Sequence, residues 1–180
     1  MDYRQLFIWV EGLDDQRFVE AIIKPILVEK YNKVQIVLHA EEGKKYITNY
    51  IRSITSIPAA DYIFLTDINT QPCVTTKKLK EAATYLNLDL SKIVVIIKEI
   101  ESWYLAGIDS QAAKVLGIKS QKSTDSLIKE QFDMLIPKGW LRIDFMQEIL
   151  KRFSCDVAKQ KNKSFAYFIK KLAEKYEVAL

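Results

Sequence analysis

Carboxylate side chains follow apolar, strand-like segments at the points where those strands would end. They are Glu11, Asp67, Glu99 and Glu101. Carboxylates that converge on one edge of a sheet repel each other strongly unless a cation lies between them. Oxygen ligands suit hard cations, and the lack of companion Cys and His residues argues against zinc. The pattern therefore predicts a Mg²⁺ or Mn²⁺ site, and such metals commonly serve phosphoryl transfer.

The elements that must position these side chains alternate along the first hundred residues. Near-continuous apolar runs, typical of strands covered on both faces, occupy residues 6–10, 34–38, 62–66 and 93–97. Helical apolar stripes lie between them, and they comprise Phe18, Ile22 and Ile26, then Ile47, Tyr50, Ile51 and Ile54, then Leu79, Ala82, Ala83 and Leu86. The order βαβαβαβ predicts an α/β fold, doubly wound around a mostly parallel four-stranded sheet. Ligands of such sheets bind beyond the carboxyl ends of the strands, where the carboxylates fall.

Helical patterns dominate the rest of the chain. After Glu101 the strand signal fades, and stripes that include Phe145 and Phe165 indicate a helical extension. We expect residues 1–107 to form the α/β core and residues 108–180 to pack on it as one compact domain. Within the first helix, Pro25 predicts a kink near residues 21–24.

Two sequence blocks resemble a known domain. Residues 10–18, VEGLDDQRF, with Asp67-Ile68-Asn69 after the third strand, resemble the TOPRIM domain of topoisomerases, bacterial primases, ribosomal-RNA maturases and OLD-family nucleases. Residues 98–106, KEIESWYLA, are similar to a Glu-Ile-Glu-Ser-Trp motif of small, poorly characterised bacterial TOPRIM-like proteins. The motifs keep the family's order over roughly residues 5–107. The resemblance implies a Rossmann-like TOPRIM core.

The resemblance also implies roles for individual residues. Glu11 matches the family's glutamate, which binds metal or acts as general acid or base, and Asp67 matches the first Asp of its metal-binding DxD pair. Asn69 stands where the second Asp is expected, so the site loses one negative charge. Glu99 and Glu101 could compensate as ligands. Their side chains would lean the same way if Glu99 ends a strand, and would diverge if a helix begins at Glu99.

Other residues are candidates for substrate binding. Lys44 follows the turn after the second strand and could meet a phosphate at a helix N-terminus, although a solvated lysine is the simpler alternative. Trp103 reads first as a core residue of a helix, with base stacking as the other interpretation. Lys163 and Ser164 begin the last helix and could approach the metal site. His39, the only histidine, follows the second strand and is more often structural than functional in such a position.

Charge is distributed unevenly along the chain. Residues 1–109 carry 13 basic and 15 acidic residues, whereas residues 110–180 carry 14 basic and 8 acidic ones. Lysines with interleaved aromatic residues concentrate in residues 151–175. Such a surface suits sequence-indifferent, salt-dependent binding of DNA or RNA, although a solvated lysine-rich helix also explains it.

Composition narrows the class of protein further. With 49% hydrophobic residues, 28% charged residues and only 2 Cys, the sequence excludes disordered and disulfide-stapled classes. No long apolar run or signal-like start is present, so we expect a cytoplasmic protein without membrane partners.

Two functions are compatible with these features. The first is a Mg²⁺-dependent phosphoryl-transfer protein, most simply a nuclease acting on DNA or RNA through the acidic metal site. The second is a non-catalytic TOPRIM-like binding or regulatory subunit in a defence or mobile-element system. It would partner an ATPase, because the chain lacks a GxxxxGK[ST] loop of its own. A homo-oligomer is the alternative assembly.

Overall fold

The fold is built on one four-stranded sheet, as seen in a computed structural model that describes residues 3–40 and 42–176. The strands are β1 (Gln5–Val10), β2 (Lys33–Leu38), β3 (Ala60–Asp67) and β4 (Ile93–Ile96). They lie in the order β2-β1-β3-β4 and run parallel, which confirms the predicted doubly wound α/β fold.

The central strand β1 explains the unbroken apolar pattern of its sequence. Gln5 lies opposite Lys33 of β2 and opposite Ala60 of β3, and the pairing continues in register along both neighbours. Every residue from Leu6 to Val10 is buried. A strand that is paired on both sides and covered on both faces leaves no position where a polar side chain would reach water.

Helices connect the strands of the sheet. They are α1 (Leu13–Phe18), α2 (Lys24–Leu27), α3 (Lys44–Thr55) and α4 (Val74–Thr84), with a π-helical turn at Val19–Ile23 and a 3₁₀ turn at Leu90–Lys92. Pro25 is the second residue of α2, directly after the π-helical turn. A proline removes one helical hydrogen bond and crowds the preceding turn. The π-helical turn therefore overlaps residues 21–24, where the sequence predicts a kink.

Helix α3 packs as predicted, whereas the predicted buried face of α4 is wrong. In α3 the stripe formed by Ile47, Ile51 and Ile54 is buried. In α4 the buried residues are Lys77 and Glu81, and Leu79 of the predicted stripe is 54% exposed. The salt bridge between Lys77 and Glu81 is 2.8 Å long and neutralises both charges. This polar pair can therefore face the core, whereas Leu79 lies on the opposite, exposed side of the helix.

The chain divides into two compact units, the first running to Val95 and the second spanning Ile96–Lys175. The helices of the second unit are α5 (Glu101–Ala106), α6 (Ser110–Val115), α7 (Lys129–Asp133), α8 (Arg142–Lys151), α9 (Cys155–Lys161) and α10 (Lys163–Tyr176). The predicted boundary after residue 107, between an α/β core and a helical extension, stays a prediction.

Aromatic side chains form the core of the second unit. All six residues of α5 are buried. The Trp103 indole stacks on Phe168 with ring centroids 5.3 Å apart and meets Phe165 edge-on at the same distance. Gly107 follows α5 where a Cβ would lie 2.3 Å from the ring of Phe153, so only glycine fits there. Across the described residues, no helix is both long and apolar enough to cross a membrane.

Candidate active site at the carboxyl edge of the sheet

The first candidate residue lies between β1 and α1. Glu11 directly follows the strand, and Gly12 is the N-cap of α1 in an extended conformation. The Asp15 carboxylate accepts a hydrogen bond of 3.1 Å from the Gly12 N–H. A carboxylate in the first turn satisfies an amide that the helix leaves open and interacts favourably with the helix dipole. This local structure fixes the backbone on which Glu11 is carried.

Glu11 and Asp67 meet at the carboxyl edge of the sheet. The Glu11 Oε1 accepts hydrogen bonds from the Thr66 hydroxyl and, at 3.0 Å, from the backbone N–H of Asp67. Asp67 is the last residue of β3, the strand that pairs with β1. In the order β2-β1-β3-β4, the connections leave β1 and β3 toward opposite sides, so these two carboxylates flank the crevice where ligands of doubly wound sheets bind.

Asn69 turns the chain after β3. It is exposed, its φ is 51°, and its Nδ2 donates a 3.3 Å hydrogen bond to the Asp67 carbonyl oxygen. Asparagine tolerates this left-handed conformation better than most residues. The amide at the position of the second Asp therefore also serves the turn.

His39 lies against the same strand ends. It is buried, its ring stacks on Phe64 with centroids 4.5 Å apart, and its Nε2 lies 3.3 Å from the Leu65 carbonyl oxygen. Burial lowers the pKa of His39, while the Leu65 carbonyl and the negative charge of Glu11 raise it to a smaller extent. The imidazole is thus a neutral Nε2–H donor that ties the end of β2 to β3.

The structure adds a buried ion pair that the sequence analysis missed. Glu81 raises and Lys77 lowers the pKa of His39. Burial raises the pKa of Tyr85, and the charges of Glu81 and Glu11 raise it further. The only sequence signal was an i, i+4 spacing of opposite charges, which normally marks an exposed pair. These groups extend the polar surroundings of Glu11 within the first unit.

Glu99 and Glu101 both lie in the second unit and bind different groups there. Strand β4 ends at Ile96 and α5 begins at Glu101, so Glu99 is in the connection. The Glu99 Oε2 accepts a 2.6 Å hydrogen bond from the backbone N–H of Lys129, at the start of α7. The buried Glu101 carboxylate forms a 2.5 Å ion pair with Arg142. A role of either residue as a metal ligand stays a prediction, and each would have to exchange or share its partner.

The interpretation of Trp103 as a base-stacking residue is wrong. Trp103 is fully buried, and its Nε1 donates a 2.7 Å hydrogen bond to Ser164 Oγ. Ser164 in turn donates to Asn162 Oδ1 at 2.8 Å, and Asn162 Nδ2 donates to Thr124 Oγ1 at 3.1 Å. Trp103 and Ser164 therefore belong to a buried polar network that holds the second unit together, in which every polar atom needs its partner.

The two lysines proposed for substrate binding are exposed. Lys44 is the first residue of α3, after a Gly43 N-cap that supplies no side chain. The side chain of Lys163, at the start of α10, is 92% exposed, and its Nζ lies 3.9 Å from Asp125. Both lysines are accessible to an anionic polymer.

Many of the basic residues of the last three helices have acidic partners. Ion pairs join Lys151 and Arg152 to Glu148, Lys159 to Asp156, and Lys170 to Glu174. Each such pair cancels much of the field that the lysine would offer to a phosphate. The positive surface is consequently weaker than the residue count suggests.

The donor atoms at the carboxyl edge suit a hard cation. Glu11, Asp67 and Asn69 supply oxygen ligands only, and Mg²⁺ is commonly held by one or two carboxylates together with water and substrate phosphates. Among residues 3–40 and 42–176, no three His, Cys, Asp or Glu side chains cluster closely enough to hold a metal by themselves. A metal site at this edge stays a prediction, and it would consist of two carboxylates completed by water and substrate.

The comparison with known proteins shows that the fold of this chain is similar to that of a solved structure. No protein-family model matches the chain, and no curated protein does. A solved structure of the C-terminal region of the OLD protein of Xanthomonas campestris pv. campestris is similar, with 15% identity, a TM-score of 0.50 and coverage of 98% of this chain and 97% of that one. The C-terminal region of the Burkholderia pseudomallei OLD protein matches with the same identity and coverage and a TM-score of 0.42. The first likeness agrees with the α/β architecture described above.

Proposed function

We propose that this protein is a Mg²⁺-dependent or Mn²⁺-dependent phosphoryl-transfer protein, most simply a nuclease that hydrolyses DNA or RNA. The observation that carries the proposal is the hydrogen bond from the backbone N–H of Asp67 to the Glu11 carboxylate, which holds the two acidic residues beside the crevice between β1 and β3. The TOPRIM-like sequence around both residues and the likeness of fold to OLD C-terminal regions support it.

Each residue of the edge has a specific role in this proposal. Asp67 would hold the metal, with Asn69 as a neutral oxygen ligand, and Glu11 would be a further ligand or the general base. When bound, the cation would neutralise phosphoryl oxygens and lower the pKa of water. Glu11 would accept a proton as the water oxygen bonds to phosphorus and the bond from phosphorus to the leaving oxygen breaks, and that oxygen would take up a proton from solvent. The hydrogen bonds from Thr66 and Asp67 hold the carboxylate in place for this step.

A cleavage assay tests the proposal directly. The purified chain is incubated with labelled single-stranded and double-stranded DNA and RNA in Mg²⁺ or Mn²⁺, with chelator as the metal-free control. We expect Glu11→Gln and Asp67→Asn each to lower the cleavage rate by about 10²-fold or more, because each removes a charge that the step requires. Cleavage that persists in both variants would remove these residues from the mechanism.

A matched variant separates chemistry from folding. Asp14 is also a carboxylate of the same connection, but it forms an ion pair with Arg17 on α1. Asp14→Asn changes the charge by the same amount, and we expect it to retain activity. Equal losses in all three carboxylate variants would point to a general electrostatic or folding effect.

A second function is a non-catalytic binding or regulatory subunit, which in this proposal partners an ATPase or a second copy of the chain. The observations that favour it are the neutral Asn69 at the second acidic position and the engagement of Glu101 by Arg142. Calorimetric titration with Mg²⁺ and Mn²⁺ discriminates between the two functions. Absence of binding at about 1 mM metal, a weak affinity on the usual scale, would favour the subunit over the enzyme.

A further inference from the structure

A cleft opens at the amino edge of the sheet, at the opposite ends of the strands from the candidate active site. Its volume is about 740 Å³, within the range of small-molecule sites. The lining residues all lie in the first unit, where the strands begin, and include Tyr3, Arg4, Tyr31, Asp61 and Lys92. No step of the proposed nuclease mechanism uses this cleft.

Two cations of the cleft are held in place by neighbouring groups. The Arg4 guanidinium lies over the Tyr31 ring, 4.8 Å from its centroid, and the Arg4 backbone N–H donates a 2.8 Å hydrogen bond to Asn32 Oδ1. A guanidinium that lies over an aromatic ring keeps its N–H groups in its own plane, where they can bind an anion. Lys92 lies over the Tyr62 ring at 4.6 Å and is paired with Asp61. Two fixed cations and one carboxylate leave the lining with a net positive charge.

An apolar and aromatic wall accompanies these cations. The Tyr3 side chain is 55% exposed, and Pro58 and Ala59 continue the lining beside it. An exposed aromatic ring offers a stacking surface to any nucleobase, because every base has a planar face. Charged groups for a phosphate therefore lie in the same cleft as a platform for a planar ring.

We propose that this cleft binds a nucleotide, with its phosphate on Arg4 and Lys92 and its base against Tyr3. The position of the cleft at the amino edge of the sheet explains why cations line it. Helices that return to this edge point their carboxyl ends toward it, and those ends repel anions unless cations offset them. The nucleotide site is separate from the carboxylate site and does not depend on the nuclease activity.

Calorimetric titration with AMP, adenosine and inorganic phosphate tests the proposal. We expect AMP to bind with a dissociation constant below about 1 mM, and adenosine and phosphate each to bind at least about tenfold more weakly. Arg4→Gln should weaken AMP binding about tenfold, because it removes a charge-assisted hydrogen bond. Lys92→Gln should weaken it less, because Asp61 already offsets part of the Lys92 charge. Lys45 is an exposed residue at the amino end of α3 and does not line the cleft. Lys45→Gln changes the charge by the same amount and should leave AMP binding unchanged.

Two further measurements locate the ligand. Tyr3→Leu should bring the affinity for AMP close to that for phosphate, because it removes only the stacking ring. In the unmodified protein, amide resonances of residues 3–4, 31 and 61 should shift on addition of AMP. Absence of AMP binding, an Arg4→Gln variant that binds AMP as tightly as the unmodified protein, or shifts centred on Glu11 and Asp67 would overturn the proposal.

Discussion

The Glu11 carboxylate and the backbone N–H of Asp67 lie within 3.0 Å of each other although 56 positions separate them in sequence. The contact exists because β1 and β3 are neighbours in the sheet while β2 lies on the far side of β1. The two acidic residues therefore lie at the switch point of the sheet, between the two strands whose connections leave in opposite directions.

The first prediction concerns Thr66, whose hydroxyl is the second donor to Glu11. Thr66→Val keeps the shape of this buried side chain and removes the hydroxyl. Since Glu11 then retains only the Asp67 N–H, we expect kcat for cleavage to fall about tenfold, while the unfolding free energy changes by no more than about 1 kcal/mol. Steady-state kinetics and urea unfolding measure the two effects. Thr66→Ser should restore kcat, and a Thr66→Val variant with unchanged kcat would show that the hydroxyl does not position Glu11.

Much of the sheet was predictable from local sequence. The four apolar runs of the sequence match β1 to β4 to within two residues at each end, since strands buried on both faces must be apolar throughout. Pro25 predicts a kink near residues 21–24, and the π-helical turn at Val19–Ile23 overlaps that region. The buried face of α4 was not, because the Lys77–Glu81 pair replaces apolar residues there. Periodicity cannot recognise a pair of charges that neutralise each other.

Strand order alone accounts for the contact between Glu11 and Asp67. Glu11 and Asp67 follow adjacent parallel strands, so their meeting follows from topology. The partner of Glu101 is Arg142, 41 positions further along, and no local pattern identifies a contact between helices so distant in sequence. Trp103 illustrates the same difficulty, because its partner Ser164 is 61 positions away. Contacts of this kind depend on how helices pack, which short-range patterns do not specify.

A second prediction follows from the Glu101–Arg142 ion pair. The Glu101 side chain is 5% exposed and that of Arg142 is 27% exposed. Arg142→Met would leave a buried carboxylate without its cation, and we expect this to cost about 3 kcal/mol of unfolding free energy. Urea unfolding followed by tryptophan fluorescence measures the loss.

The double variant Glu101→Gln/Arg142→Met serves as its control. Removing both charges should recover a large part of the lost stability, since the buried carboxylate is gone and Asp133, the other partner of Arg142, is 41% exposed. A single Arg142→Met variant as stable as the original protein would contradict the prediction. Tighter Mg²⁺ binding in that variant would instead assign Glu101 to the metal site.

A third prediction concerns the pH dependence of stability. Because burial lowers the pKa of His39, the folded protein keeps a neutral imidazole at pH values where the unfolded chain, with a pKa of about 6.5, takes up a proton. The contribution of His39 to stability is therefore complete above about pH 6.5 and is lost as the pH falls toward the lowered pKa. The slope cannot exceed about 1.4 kcal/mol per pH unit for one proton. Urea unfolding at several pH values between about 7.5 and 5 measures it.

His39→Gln isolates this effect from the carboxylates that titrate at lower pH. Glutamine can still donate to the Leu65 carbonyl but has no proton to gain. We expect the unfolding free energy of the variant not to fall between about pH 6.5 and pH 5 through this titration. At more acidic pH it should still fall, because the carboxylates become protonated. Identical pH profiles for the two proteins would show that His39 is not the titrating group.

The final prediction distinguishes accessible lysines from paired ones in nucleic-acid binding. Lys163 is 92% exposed and only distantly faces Asp125, whereas Lys151 is bound to Glu148, which also pairs with Arg152. We expect Lys163→Gln to lower the affinity for a labelled oligonucleotide and to reduce the slope of log K against log salt by about 1, the release of about one counterion. Lys151→Gln should have a smaller effect, because the charge that it removes is already offset. Fluorescence anisotropy at several NaCl concentrations measures both slopes, and equal slopes in the two variants and the original protein would exclude this face from the nucleic-acid interface.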